Sequence, residues 1–117
     1  MGSTQILLVD DEAQLLQLMR RYLERLGYDT LTAATTQEGW ELFEQNVRPT
    51  VAVIDVTLDG IELARRMLAG RPETRVILTS GYAADTSALE SAFPGRVRFV
   101  QKPFSGDMLA EAVGKLA

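Results

Sequence analysis

Asp55 closes the run Thr50-Val51-Ala52-Val53-Ile54-Asp55, in which small and β-branched apolar residues lead up to a single carboxylate. The run is too short for a helix of its own and reads as a central strand buried on both faces. A carboxylate is costly inside such a strand. At the C-terminal end it stands where open α/β sheets bind ligands. Taken alone, Asp55 equally begins a turn, a role that suits aspartate. Asp10-Asp11-Glu12 follow a second apolar run, Ile6-Leu7-Leu8-Val9. If the two runs lie side by side, Asp10, Asp11 and Asp55 converge and repel one another unless a cation sits among them. Carboxylate oxygens are the hard donors that Mg²⁺ prefers. The triplet by itself reads as well as a helix cap that complements the helix dipole. One acid can cap while the next binds metal.

Two further features follow apolar runs. Ser80-Gly81 comes after Val76-Ile77-Leu78 and offers a hydroxyl beside a residue that lets a ligand approach the backbone. Lys102-Pro103 comes after Val97 to Val100, where a lysine can reach an anion on Asp55. Each has an ordinary reading, a plain turn for the first and a solvated lysine before a helix-initiating proline for the second. All four features fall at C-terminal strand ends, and chance does not readily place the whole set there.

The elements that must position these residues alternate. Strand Ile6–Val9 is followed by a helix with Leu15, Leu18, Met19, Tyr22, Leu23 and Leu26 at helical spacing, stopped by Gly27. Tyr28 to Ala33 alternates polar and apolar residues like a strand near a sheet edge. Thr35-Thr36-Gln37-Glu38 matches a capping box for a helix with Trp40, Leu42, Phe43 and Val47, and Pro49 ends that segment. Leu58-Asp59-Gly60 connects the Asp55 strand to a third helix with Ile61, Leu63, Ala64, Met67 and Leu68, stopped near Gly70 and Pro72. Val76–Leu78 is a fourth strand, Ala83 to Ala92 a short weak helix, and Val97–Val100 a fifth strand. Ser105 is the expected N-cap of a last helix with Met108, Leu109, Ala112, Val113 and Leu116. Five strand–helix alternations predict an α/β fold with a parallel sheet covered by helices on both faces. The expected form is a doubly wound five-stranded sheet of order 2-1-3-4-5, a flavodoxin-like three-layer sandwich.

Bulk properties narrow the function. A chain of 117 residues, 46% hydrophobic and 24% charged, reads as one globular domain over residues 1–117. A net charge of -4 speaks against direct nucleic-acid binding. Cysteine and histidine are both absent, which excludes disulfides, thiolate or imidazole metal sites, Ser-His triads and any phosphohistidine within the chain. No apolar run reaches membrane-spanning length, and no secretory signal precedes Ile6, so a cytoplasmic protein or module is expected.

The ordered set Asp10-Asp11, strand-terminal Asp55, Ser80-Gly81 and Lys102-Pro103 resembles the receiver domain of two-component response regulators, of the chemotaxis-regulator type. The resemblance runs from about Gln5 to Leu116, and the separations of Asp11 from Asp55 and of Ser80 from Lys102 look typical of it. It implies that Asp55 is the phosphoacceptor, attacking a phosphohistidine on a histidine kinase or histidine phosphotransfer protein. It implies that Asp11, Asp55 and the backbone carbonyl of Thr57 bind Mg²⁺, with Asp10 acting through water. Lys102 would pair with the phosphoryl oxygens, Ser80 would donate to the phosphoryl group, and Phe99 falls at the aromatic switch position. It also implies a cis Lys102–Pro103 bond. One departure stands out. Thr57-Leu58-Asp59-Gly60 is about three residues short for the family and lacks its proline.

Other readings compete. A small Mg²⁺-dependent phosphohydrolase could use Asp55 as nucleophile, but haloacid-dehalogenase-type enzymes carry a second aspartate where this chain has Thr57. A degenerate receiver would only bind partners, and the intact acidic, hydroxyl and lysine set argues against it. A flavin carrier of similar fold would be repelled by Asp10-Asp11-Glu12. The expected role is that of a signalling phosphoacceptor, enzymatic at most in assisting its own phosphotransfer and autodephosphorylation. Kinase or output domains in a longer chain, or a weak homodimer, are compatible with it.

Overall fold

The computed structural model describes residues 4–46 and 49–116. Its strands are β1 (Gln5–Val9), β2 (Asp29–Ala33), β3 (Pro49–Asp55), β4 (Arg75–Ser80) and β5 (Val97–Gln101). Its helices are α1 (Ala13–Arg25), α2 (Thr36–Gln45), α3 (Gly60–Gly70), α4 (Ser87–Ala92) and α5 (Gly106–Leu116), with one 3₁₀ turn at Val56–Leu58. The strands are parallel in the order β2-β1-β3-β4-β5, as expected.

Alternation along the strands divides the core into two layers. Leu7, Val9, Ala52, Ile54, Val76 and Leu78 face Phe43 of α2, Leu63, Met67 and Leu68 of α3, and Leu89 of α4. Ile6, Leu8, Val51, Val53 and Ile77 face the other way, against Leu16, Met19 and Leu23 of α1 and Leu109, Ala112 and Val113 of α5. The central strands are therefore apolar at nearly every position, because both faces are covered.

Local signals act where they stand. Thr35 Oγ1 accepts from the Glu38 N–H at 3.1 Å, while Glu38 Oε1 accepts from the Ala34 N–H at 2.9 Å, which completes the capping box one residue earlier than its usual partner. Ser105 Oγ accepts from the Met108 N–H at 3.1 Å and caps α5. Gly27 takes a left-handed φ of 96° just past α1, where a Cβ would be strained.

Several expectations need correction. Leu18 and Leu26 are exposed rather than core, and Leu16 takes the buried place, because the α1 stripe facing the sheet runs through Leu16, Met19 and Leu23. Met108 of α5 is likewise exposed. Pro49 opens β3 instead of ending the preceding segment, a position where a missing N–H is tolerated. β4 extends through Thr79 and Ser80. α4 begins only at Ser87, with Asp85 Oδ1 accepting from the Ser87 N–H just before it. Val47 lies outside the described residues.

Candidate functional site

β1 and β3 are neighbours, with Val9 opposite Ile54, so the residues that follow them meet at one edge of the sheet. Asp10 is tied to the end of β2 by its N–H, which donates to Ala33 O at 3.1 Å, and its side chain is buried. Asp10 Oδ1 accepts from the Glu12 N–H at 2.8 Å. Asp55 is buried too, and its Oδ1 accepts from both the N–H and the hydroxyl of Thr57, at 2.8 and 2.7 Å. Asp11 is exposed at the mouth.

Lys102 arrives from the end of β5. Its N–H donates to Ser80 O at 2.7 Å, which fixes the backbone at the end of β4. Its ammonium then lies 2.8 Å from Asp10 Oδ2, 2.9 Å from Asp55 Oδ2 and 2.9 Å from Glu12 Oε1. The Lys102–Pro103 peptide is cis, as expected. A groove of about 420 Å³ lined by Glu12, Leu15, Gly81, Lys102, Pro103 and Phe104 opens beside this lysine.

The carboxylates differ in proton affinity. Burial pushes the Asp10 carboxyl up, and its bonds to Lys102 and the Glu12 N–H do not offset this, with the Asp55 charge pushing the same way. Burial also pushes Asp55 up, but Lys102 and the two Thr57 donors outweigh it and hold the carboxyl below the ordinary range. Burial disfavours the Lys102 ammonium, but three carboxylate partners outweigh that and raise its proton affinity. Asp55 is therefore held as an anion and Lys102 as a cation at neutral pH.

Asp10, Asp11 and Asp55 each offer a carboxylate oxygen, and these atoms lie within 4.8 Å of one another. Counted formally among the described residues, Asp10, Glu12 and Asp55 pair with Lys102 and Asp11 stands beside Asp10 and Asp55, four carboxylates gathered around one ammonium. This oxygen donor set with excess negative charge fits a hard divalent cation such as Mg²⁺.

The other expected residues are placed as follows. Ser80 is fully buried at the end of β4, and its Oγ accepts from the Tyr82 N–H at 3.2 Å. Phe99 is half-buried on β5, opposite Leu78, and packs against the α2–α3–α4 side of the core. Thr57 lies in the 3₁₀ turn after Asp55. Two contributions were not read from the sequence. Glu12 was read with the acidic triplet but not as a partner of Lys102, and Thr57 was expected to act through its carbonyl, not its hydroxyl. The hydroxyl two residues past Asp55 was the available signal, since such side chains bond locally in turns.

Gly60 explains how so short a connection is made. A Cβ on it would lie 2.2 Å from Asp55 O, so only glycine lets α3 start this close to the strand end. Asp59 before it takes φ 61° and ψ 30°, a left-handed conformation that aspartate tolerates.

The sequence model of the response regulator receiver domain matches residues 6–114. The chain belongs to this family. The receiver is 32% identical over 111 residues to the photosynthetic apparatus regulatory protein RegA of Rhodobacter capsulatus, covering 92% of this chain and 60% of that protein. It is 31% identical over 113 residues to the alginate biosynthesis transcriptional regulatory protein AlgB of Pseudomonas aeruginosa, covering 94% of this chain and 25% of that one. The chain thus spans less than two thirds of the length of these relatives. Among solved structures, a CheY-like receiver domain protein from Methanospirillum hungatei is 30% identical with a TM-score of 0.85, covering 98% of this chain and 94% of that one. The response regulator TrrA of Thermotoga maritima, solved in complex with Mg²⁺ and BeF, is 26% identical with a TM-score of 0.84, covering 97% of this chain and 99% of that one. The family is that of two-component signalling receivers, and the acidic pocket of Asp10, Asp11 and Asp55 fits its phosphoacceptor site. No described helix is long and apolar enough to cross a membrane.

Proposed function

We propose that Asp55 accepts a phosphoryl group from a phosphohistidine on a histidine kinase or histidine phosphotransfer protein. A carboxylate oxygen of Asp55 forms the new P–O bond as the P–N bond to the imidazole breaks, and the imidazole leaves with the electron pair. The observation that carries this reading is Lys102, whose ammonium bridges Asp55 and Asp10 at 2.9 and 2.8 Å. It marks the place where charge on a transferring phosphoryl group would be met. The depressed proton affinity of Asp55 keeps the nucleophile ionised.

Asp11 and Asp55 would hold Mg²⁺ with the Thr57 carbonyl, and Asp10 would act through water. When bound, the ion supplies charge neutralisation to the phosphoryl oxygens. Lys102 supplies the same from the protein side. Ser80, buried with its hydroxyl on a backbone N–H, would exchange that bond for a phosphoryl oxygen. Phe99 would then take up the space behind β4, biased inward even before phosphorylation by its packing against the core. Amide NMR of free and beryllofluoride-bound protein tests this switch. Shifts confined to the Asp55 pocket, absent at Phe99 and residues 83–92, would count against it.

The receiver would be one domain over residues 1–117, acting in the cytoplasm alone or within a longer chain that carries a kinase or an output module. Its own chemistry would be limited to assisting phosphotransfer and autodephosphorylation. Incubation with acetyl phosphate and Mg²⁺, followed by intact mass, should show one added phosphoryl group. Asp55→Asn should remove it while the fold persists. Equal labelling of that variant refutes the assignment. Continuous phosphate release with no labelled species would favour the phosphohydrolase reading.

A further inference from the structure

Tyr22 of α1 meets the first turn of α5. Its hydroxyl donates to Asp107 Oδ1 at 2.5 Å, across 85 positions of sequence. Its ring lies close against Gly106, where an added Cβ would stand 2.5 Å from Cε2 and 2.6 Å from Cδ2. Neither contact is used by the proposed chemistry, yet both fall at one end of a short tether. Lys102, Pro103, Phe104 and Ser105 join the end of β5 to Gly106, the first residue of α5.

The tether is anchored in its middle by Phe104, which packs against the α1–α5 side of the core, and by hydrogen bonds at its two ends. At one end the Lys102 N–H is bonded to Ser80 O. At the other Ser105 caps α5 through the Met108 N–H, which binds the tether to the helix but not the helix to the rest of the protein. The groove lined by Glu12, Leu15, Gly81, Lys102, Pro103 and Phe104 leaves one side of the tether open. Leu109, Ala112 and Val113 hold the body of α5 in the core, and at its first residues Tyr22 of α1 adds a steric stop at Gly106 and a polar one at Asp107.

We infer that Tyr22 is a positioning residue for Lys102, acting through Gly106, Asp107 and the tether. The inference rests on the phosphoacceptor reading of Asp55. Long flexible lysine stems reach a target only from a fixed backbone origin, and displacement of a reacting group by an ångström can cost about 10²-fold in rate. Glycine at position 106 is then required by the ring and not by backbone conformation, since its φ is not in the left-handed region.

The test is a cycle of Tyr22→Ala, Gly106→Ala and the double variant, each checked by thermal melting and by Mg²⁺ titration calorimetry. Labelling by acetyl phosphate is timed by intact mass. Tyr22→Ala should slow labelling by about tenfold or more while Mg²⁺ affinity stays within about twofold, a split that a general loss of structure does not produce. Gly106→Ala should slow labelling when Tyr22 is present and add nothing when Tyr22 is alanine, because the atom it strikes is gone. Tyr22→Phe keeps the ring and loses only the bond to Asp107, so its rate should lie between the wild type and Tyr22→Ala. It also serves if Gly106→Ala fails to fold. Wild-type labelling by Tyr22→Ala, or an equal cost of Gly106→Ala with and without Tyr22, overturns the inference. A wild-type protein that takes no label refutes the phosphoacceptor reading instead. Tyr22 is then judged by amide NMR alone, where Tyr22→Ala should shift Lys102 and Ser80, and unshifted resonances overturn its role.

Discussion

Replacing Lys102 by methionine keeps most of the apolar stem and removes the ammonium that pairs with Asp10, Glu12 and Asp55. Each contact at 2.8–2.9 Å is worth about 6 kcal/mol before desolvation at an effective dielectric near 20. The Glu12 contact is discounted, because that side chain is 61% exposed. Asp10 and Asp55 are 2% and 5% exposed and cannot be rescued by water, so losing their partner should cost about 3–5 kcal/mol. A domain of 117 residues has roughly 6–18 kcal/mol of stability in all. The variant should still fold, with a melting temperature lower by about 10–20 °C. The loss should also depend on pH. With Lys102 present, Asp55 is held below the ordinary carboxylate value of 3.8, so its stabilisation is present above that value and is lost as pH falls through the depressed one. With Lys102 gone, burial raises both Asp10 and Asp55, a penalty that is present at neutral pH and relieved as they protonate on acidification. The gap between the two proteins should be widest near neutrality and should close as pH falls through the carboxylate range. Mg²⁺ should recover more stability in the variant than in the wild type. Thermal melts across pH, with and without Mg²⁺, measure this. A gap below about 1 kcal/mol at neutral pH, or one that does not change on acidification, refutes the reasoning.

Mg²⁺ should raise the melting temperature of the wild type with the logarithm of its concentration once the site saturates, and Asp11→Ala should erase that rise while leaving the metal-free protein no less stable. Gly60→Ala places a Cβ 2.2 Å from Asp55 O, a clash with backbone that no rotamer relieves. It should cost about 1–3 kcal/mol and slow labelling of Asp55 in the same protein, measured by melts and intact mass. Thr57→Val removes the 2.7 Å hydroxyl bond and keeps the N–H bond. Thr57 is exposed, so the cost should be only about 1 kcal/mol. Asp55 stabilises above the carboxylate range and loses that on acidification, so weakening its anion should move the acid-unfolding midpoint to higher pH.

Periodic and punctuating signals made much of this molecule legible before any coordinates. The strand alternation, the Thr35–Glu38 box and the Ser105 cap depend on residues within a few positions of one another, so sequence and local structure carry the same information. Asp10, Asp11, Asp55 and Lys102 could be gathered at one edge because a doubly wound sheet puts the ends of β1, β3 and β5 on one side. Beyond that reach the pattern fell silent. Leu16 and Leu18 fit an apolar stripe equally well, and only the angle at which α1 meets the sheet buries one and exposes the other. The start of α4 at Ser87 follows from an Asp85 turn that competes with helix, not from hydrophobic spacing. Lys102 reaches residues 47 and 90 positions away, and Tyr22 reaches one 85 away. Such partners are chosen by strand register and helix docking, which the chain sets only when its two core layers close. The sequence by itself determined which residues could do chemistry at the sheet edge. The tertiary structure decided which of them touch, and so which carboxylate is held below the ordinary range and which is pushed above it.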